Sequence, residues 1–434
     1  MARDKCMRAL GGGLLALALA ASGPLDAAGF ALFEQGAKAT TLGGAFAAQA
    51  DDPSAMFYNP AGNAFNEKVT LSGGAFFILR PSAHFDGGNP YPGTGYSANM
   101  KKVLYYMGSG YMVVPLKPGS INIAAGFWSP AGLGVPWAYP DQWAGRFISQ
   151  RVDLRQVAGS VQISAKLTDW LAIGAGPEIR FSDVKLSQNV GLFNPFSDRF
   201  VDVAHLSLQS KGTPVEWSWN AGIMIKPCDR LRFGAAYHGG VTFNYEGEAE
   251  FGQISTGNAQ LDAVVKSRLP VGTSVPGGTS LEFPDLLIFG ASYDLTPKLT
   301  VNVDGNYTWW DVFQQTTIAI QGLPAKTIPH GWENTWTIRA GLGYQATESL
   351  WVGGGYVYDQ TPQPDYDVGP LLPDANRTGA SIGVGFKLGK HTRIDISSLF
   401  LWFHQRTTTS NEAGFNGTYK LFAILPGVSA TMSF

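Results

Sequence analysis

Apolar and polar residues alternate along much of the chain, most clearly in its last segment. There the apolar residues occupy every second position, namely Phe422, Ile424, Pro426, Val428, Ala430, Met432 and Phe434. Side chains of a β-strand point in turn to its two faces, so this pattern predicts strands with one apolar face and one face toward water. About fourteen such segments lie between Val69 and Phe434, and several carry an aromatic residue at one end of the apolar row.

Short and long connections alternate between the predicted strands. The short ones include 117–119 and 227–229, whereas the long ones include 81–100 and 251–280. This layout with an even number of strands is typical of bacterial outer-membrane barrels. We therefore predict an all-β membrane protein, an antiparallel transmembrane β-barrel of about fourteen strands with both termini on the periplasmic side. The alternatives are a soluble sandwich, which also has alternating strands, and a propeller, whose repeat of about 40–50 residues the sequence does not show.

Composition and the first residues agree with an exported membrane protein. Charged residues make up 15% of the chain, against roughly 25% in soluble domains. The net charge is −2 and no basic cluster stands out, so we expect no nucleic-acid partner. Residues 1–27 have the pattern of a signal peptide, with a basic start and an apolar core over 9–21. That core is shorter than the ~20 residues of a spanning helix, which disfavours a retained anchor.

Apolar and polar residues do not alternate over 28–67. We therefore predict two domains, a segment over 28–67 and a barrel over 68–434. Two prolines follow capping residues, as Asp52-Pro53 and Asn59-Pro60, which predicts two short helical turns. The segment also carries several aromatic residues, which is unusual for a disordered tail. A barrel of about fourteen strands encloses more space than its own inward side chains fill. We therefore predict that 28–67 is a helical plug, or hatch, in the lumen.

The segment AGFALFEQGAKATTLGGAFAAQADDPSAMFYNPAG resembles the mature amino terminus of the FadL family, the outer-membrane transporters of long-chain fatty acids and hydrocarbons. The resemblance extends to 129–133, to 219–223, to 281–284 and to the terminal aromatic residue. It implies a fourteen-stranded barrel closed by an amino-terminal hatch. It also implies that ligand leaves through a lateral opening beside a kinked third strand.

The candidate site residues are chosen from the predicted hatch, from the strand kink that the resemblance implies, and from strand parity, meaning the face of the strand to which each side chain points. Hatch gating is assigned to Phe30, Asn59, Pro60 and Ala61, and the lateral opening to Ser129, Pro130 and Gly132. A carboxylate ligand needs a cation, and parity turns Arg180 and Arg339 inward. The alternative is that these arginines pair with acidic residues of a wet lumen. The ligand-binding candidates are Arg180, Arg339 and Phe434.

We expect no catalytic site, cofactor or metal site. The six histidines lack ligand spacing, and the G-x-S-x-G match at 379–383 lies inside an alternating strand instead of a strand-to-helix turn. The predicted function is import of hydrophobic compounds, most simply long-chain fatty acids, by hatch-gated passive diffusion with lateral exit. The alternatives are uptake of aromatic or other neutral hydrocarbons by the same fold and, remotely, an outer-membrane hydrolase. The expected partners are hydrophobic small molecules and outer-membrane lipid, and the expected state is a monomer.

Overall fold

The computed structural model describes residues 29–194 and 199–434, so the predicted signal peptide over 1–27 lies outside the described residues. In chain order the strands are β1 (Thr70–Gly87), β2 (Ser97–Asn99), β3 (Tyr105–Lys117), β4 (Ile121–Trp128), β5 (Gly132–Pro136), β6 (Arg151–Thr168), β7 (Leu171–Asn194), β8 (Arg199–Ser210), β9 (Val215–Cys228), β10 (Leu231–His238), β11 (Val241–Gln253), β12 (Ser274–Phe283), β13 (Leu286–Thr296), β14 (Leu299–Thr308), β15 (Gln315–Ile320), β16 (Lys326–Pro329), β17 (Thr335–Gln345), β18 (Leu350–Asp359), β19 (Arg377–Leu388), β20 (Thr392–Phe403), β21 (Arg406–Thr408) and β22 (Gly417–Ser433).

Fourteen of these strands form a closed antiparallel barrel, which confirms the predicted fold. The wall runs in the order β1, β3, β4, β6, β7, β9, β10, β13, β14, β17, β18, β19, β20 and β22. It closes where β22 pairs with β1, in a register from Thr70 opposite Ser433 to Gly87 opposite Gly417. The exterior is apolar, with Val161, Ile163 and Ile382 each more than half exposed.

The two ends of the barrel differ. Both the start of β1 and the end of the chain lie at the end with the short connections, where Phe434 N donates to Val69 O over 2.9 Å. At the opposite end the wall continues into a second layer, in which β7 pairs with β8, β8 with β11, β11 with β12, and β12 with β15. A helix, Ala259–Arg268, joins β11 to β12. Among the described helices, none has the length and apolar character that crossing a bilayer requires.

The segment before β1 is almost wholly buried inside the wall. It contains α1 (Ala37–Thr41), α2 (Ala55–Tyr58) and a 3₁₀ helix (Pro60–Phe65), and the helix after β11 is therefore α3. Two further 3₁₀ turns lie at Ala144–Phe147 and Trp310–Val312. As predicted, Pro60 opens a helical turn capped by Asn59. Asp52 likewise accepts a hydrogen bond from Ser54 N over 2.8 Å at a turn that starts with Pro53, and α2 itself begins two residues later, at Ala55.

Candidate functional site

The hatch, used here for residues 29–67, rests on strand positions that have no side chain. A Cβ at Gly174 would lie 2.6 Å from the carbonyl carbon of Pro60, and one at Gly341 would lie 2.6 Å from Leu42 O. The same close approach occurs at further inward positions, and these glycines form the glycine wall: Gly174, Gly222, Gly234, Gly341, Gly355 and Gly383. At Gly174, Gly234, Gly341 and Gly355 the backbone of the hatch packs directly on the backbone of the barrel, whereas at Gly222 and Gly383 the space is filled by the side chains of Asn59 and Thr41. A larger residue at any of these positions would push the hatch away.

Charged and polar wall residues hold the middle of the hatch. Asp304 of β14 is buried and accepts hydrogen bonds from Phe46 N over 2.6 Å and from Ala47 N over 2.7 Å. Arg339 of β17 donates from Nη1 to Gly43 O over 2.8 Å. These charge-assisted bonds satisfy backbone groups that are shielded from water, so they fix the hatch in register with the wall.

Ser381, the serine of the G-x-S-x-G match, also contacts the hatch. It lies in β19, donates to Thr41 O over 2.8 Å and accepts from Gly43 N over 3.0 Å. Its hydroxyl is thus occupied by backbone groups on the barrel interior. The motif lies inside a strand, where the strand-to-helix turn of a nucleophile elbow is absent.

Asn59, Pro60 and Ala61 join α2 to the 3₁₀ helix against the wall. The Asn59 amide donates from Nδ2 to Ala47 O over 2.8 Å and to Ile223 O over 3.0 Å. Its Oδ1 accepts from Ala61 N over 3.1 Å. One side chain thereby ties two parts of the hatch to each other and to β9, while the gating role of these residues stays a prediction.

We expect Asn59→Ala to destabilise the hatch by about 1–2 kcal/mol, because it removes a helix cap and two buried hydrogen bonds. The measurement is limited proteolysis of the hatch together with thermal melting of the detergent-solubilised protein. Asn63→Ala is a matched control, since Asn63 lies in the same 3₁₀ helix and its buried amide has no hydrogen-bond partner. Equal protease sensitivity in the two variants would contradict the prediction.

A largely apolar cavity of about 580 Å³ lies above the hatch, toward the end with the long connections. Its size is within the range of small-molecule sites. The aliphatic and aromatic side chains that line it come from at least seven strands and from the loops, and include Leu133, Val152, Leu154, Val184, Leu186, Val190, Leu206, Leu208, Phe251, Leu281, Ile318 and Leu371. The cavity is therefore suited to a hydrophobic molecule.

Phe30 closes the cavity at its hatch side. Its ring is 6% exposed and is surrounded by aromatic rings at centroid distances of 4.9 Å from Trp310, 5.3 Å from Phe283, 5.6 Å from Trp332 and 5.8 Å from Phe313. The distances and mostly edge-on angles are those of favourable aromatic pairs. The first residues of the hatch thus supply the floor of the cavity.

A buried carboxyl group holds the chain next to Phe30. Asp374, in the loop between β18 and β19, accepts from Gly29 N over 3.1 Å and from Thr361 Oγ1 over 2.7 Å. Burial is the largest influence on this group and raises the pKa of Asp374 above its ordinary value of 3.8, although Arg377 acts in the opposite direction.

This raised pKa predicts a pH-dependent attachment of the hatch. A carboxyl group with a raised folded-state pKa contributes stability that is fully present below its ordinary pKa and is lost as the pH rises through the raised value. We expect the wild type to lose stability relative to Asp374→Asn as the pH is raised from about 4, where unfolded aspartate titrates. The measurement is denaturant unfolding of both proteins followed by tryptophan fluorescence. Parallel pH curves would contradict the prediction.

The polar part of the cavity lining gathers around His330. His330 Nδ1 lies 2.8 Å from Asp367 Oδ1, and Nε2 lies 3.0 Å from Thr316 Oγ1. Trp332 Nε1 donates to Asp367 Oδ2 over 2.7 Å. The bases among the lining residues that the structure describes are His330 and Lys326, and Lys326 is an exposed residue of β16.

The third wall strand is interrupted at the place where the family resemblance implies a kink. β4 ends at Trp128 and β5 begins at Gly132, and the hatch crosses the break. Leu32 N donates to Pro130 O over 2.9 Å, and Gly132 N donates to Phe30 O over 3.0 Å. The Gln35 amide donates to Ser129 O over 2.7 Å. Hatch residues thus satisfy the backbone groups that the break frees from the ladder, whereas the role of 129–132 as an exit stays a prediction.

The three predicted ligand-binding residues lie outside the lining of the cavity. Arg180 is buried, pairs with Glu178 and donates from Nη2 to Gly239 O over 3.0 Å. The guanidinium carbon of Arg339 lies 4.3 Å from the Phe33 ring centroid. Phe434 is 64% exposed at the end with the short connections. The parity prediction of inward arginines is met in position, and their ligand-binding role stays a prediction.

Sequence reasoning did not find the aromatic cage of Phe30 or the role of Asp304. Asp304 could be recognised only as one inward polar residue among several in its strand. The cage residues lie in β12, in and just after the 3₁₀ turn that follows β14, and before β17, so no local pattern connects them. In the described part of the chain, no group of histidine, cysteine and acidic residues could hold a metal ion.

Comparison with known proteins gives a family and a fold. A family profile described as "Outer membrane protein transport protein (OMPP1/FadL/TodX)" matches residues 18–434. The chain is 23% identical over 404 residues to the long-chain fatty acid transport protein of Escherichia coli O6:H1, and the alignment covers 86% of either chain. The profile match confirms the family resemblance found in the sequence.

Two crystal structures have the same fold. A Pseudomonas aeruginosa FadL homologue superimposes with a TM-score of 0.81 at 22% identity, over 94% of this chain and 100% of that chain. The P. putida toluene transporter TodX superimposes with a TM-score of 0.72 at 18% identity, over 95% of this chain and 99% of that chain.

Proposed function

Because the chain belongs to the outer membrane protein transport family, we propose that it imports hydrophobic compounds by passive diffusion gated by the hatch, with lateral exit through the strand break. One observation carries this proposal. Phe30 of the hatch closes the floor of the apolar cavity, and the backbone groups of Phe30 and Leu32 bridge the break between β4 and β5. A shift of this one short segment would open the cavity and the wall together.

The apolar route fits the physical chemistry of the cargo. An alkyl chain gains about 0.8 kcal/mol per CH₂ by staying out of water, so a water-filled pore would be a poor path for it. A cavity lined by aliphatic side chains, with exit through the wall into lipid as proposed, avoids that cost. Family members are transport proteins, which supports the prediction of no catalytic site.

Long-chain fatty acids are the first candidate cargo, since the Escherichia coli relative carries that name. Neutral hydrocarbons such as toluene are the second, and the cavity itself favours them. The lining residues include acidic Glu248, Asp367 and Glu412, against Lys326 and His330. Arg180 and Arg339 are engaged elsewhere, so Lys326 is the side chain best placed to meet a carboxylate.

Uptake by cells tests the proposal. We would express the protein in a bacterium that lacks its own fatty-acid transporter, where we expect it to insert into the outer membrane as a monomeric barrel. Uptake of radiolabelled oleate and toluene would then be measured. Oleate-selective uptake that falls in Lys326→Gln would support the fatty-acid candidate. Toluene uptake that Lys326→Gln leaves unchanged would support the hydrocarbon candidate. Correctly inserted protein that takes up neither compound would overturn the proposed function.

A further inference from the structure

The wall contains an interval in which two neighbouring strands are not hydrogen-bonded. The last ladder pair between β3 and β4 is Gly110 opposite Phe127, and within the described residues β5 pairs with β6 alone. Beyond Gly110, residues 105–109 of β3 pair only with β1. A bridge between Met100 and Trp137 closes the far end of this interval. The interval is therefore a bounded gap in the wall, at the level where the hatch crosses the strand break.

Tyr105 occupies this gap. A Cβ at Gly134 of β5 would lie 2.6 Å from Tyr105 Cε1, and still closer to the hydroxyl end of the ring. Alternate residues of β3, Met107 and Tyr111, are buried on the lumenal side, and Tyr105 has the same parity. The side chain thus leaves β3 on its lumenal face, and the ring lies against β5 at Gly134, on the face opposite the cavity-lining Leu133, where glycine alone leaves it room.

The side chain is held by packing alone. The Tyr105 hydroxyl oxygen is buried and has no hydrogen-bond partner among the described residues. Rotation of the ring out of the gap therefore breaks no hydrogen bond. On the outer side of the gap Leu104 and Tyr106 are 54% and 81% exposed, and the exposed Arg151 and Arg155 of β6 lie beside β5, so the outer mouth carries apolar and charged side chains.

We propose that Tyr105 is the side chain that closes the lateral gap and limits the rate at which cargo passes from the cavity to the membrane. The proposal rests on the proposed function and names the positioning residue of its exit step. Tyr105 does not line the cavity, so it acts on passage and leaves binding unchanged. Gly134 is the second residue of the proposed gate, because a side chain at this position would displace the Tyr105 ring.

Initial uptake rates of a size series test this gate. Tyr105→Ala is expected to raise the rate roughly tenfold, equivalent to about 1.4 kcal/mol of barrier, and Tyr105→Trp to lower it similarly. Tyr105→Phe keeps the ring and is expected to match the wild type. The affinity of the purified proteins for a fluorescent fatty acid should stay constant across the series, which a general packing defect would not predict.

Gly134→Ala tests the gate independently, because it keeps tyrosine at position 105 and is expected to displace its ring. We expect it to raise the rate in the wild type and to have no further effect in Tyr105→Ala, because the two changes act on one contact. Equal rates in all variants, in a wild type that takes up oleate or toluene, would overturn the gate and leave the proposed function intact. A wild type that takes up neither compound would overturn both. Thermal melting identifies any variant whose rate reflects poor folding.

Discussion

Replacing Phe30 by alanine should open the floor of the cavity and release bound ligand faster. The substitution removes a ring enclosed by four aromatic side chains, and loss of such a buried phenylalanine costs about 3–5 kcal/mol. The hatch start is then held mainly by its backbone bonds to Asp374 and the strand break. The measurement is the dissociation rate of a fluorescent fatty acid from protein in proteoliposomes.

Phe33→Ala is the matched control for this experiment. Phe33 belongs to the same segment and is 6% exposed, as Phe30 is, but it packs on Phe57 and Arg339 away from the cavity. Both variants should lose thermal stability, while only Phe30→Ala should release ligand faster. Equal dissociation rates would show that Phe30 does not form the floor.

Asp304→Ala should loosen the middle of the hatch by about 2–6 kcal/mol, because each buried donor left without a partner costs about 1–3 kcal/mol. The two donors are the backbone N–H groups of Phe46 and Ala47. We expect faster proteolysis of the hatch and an increased ion conductance in planar bilayers. Asp294→Ala is the control, since Asp294 of β13 bonds to Arg232 and Thr300 on the wall. Unchanged conductance in Asp304→Ala would count against a hatch held by this carboxylate.

The strands could be predicted from the sequence because their signal is local. Each strand alternates on its own, so the apolar rows of β14, β17 and β22 are visible without knowledge of their neighbours. The capped turn at Asn59 and Pro60 is likewise determined by adjacent residues. Parity also turned Arg339 inward correctly, because the side chains of a strand can take only two directions.

The contacts of the site could not be predicted because they depend on which distant segments meet. Parity turns Arg339 toward the lumen but does not reveal that its guanidinium bonds to Gly43 O. The cage of Phe30 combines rings from three separate segments, the farthest more than 300 positions away. The glycine wall has the same origin, since a glycine in a strand shows no partner until a second backbone is placed against it.

The position of the hatch has a consequence for how the protein assembles. Its docking surface is spread over the circumference, from Asn122 of β4 through Asp304 of β14 to Ser429 of β22, which accepts from Ala37 N across 392 residues of sequence. The segment that leads the barrel during export therefore has no complete surface to bind until the last strand has arrived. Short helices of this kind are unstable alone in water. The segment that precedes the barrel in the chain is thus the part that can fold only at the end, when β22 closes on β1.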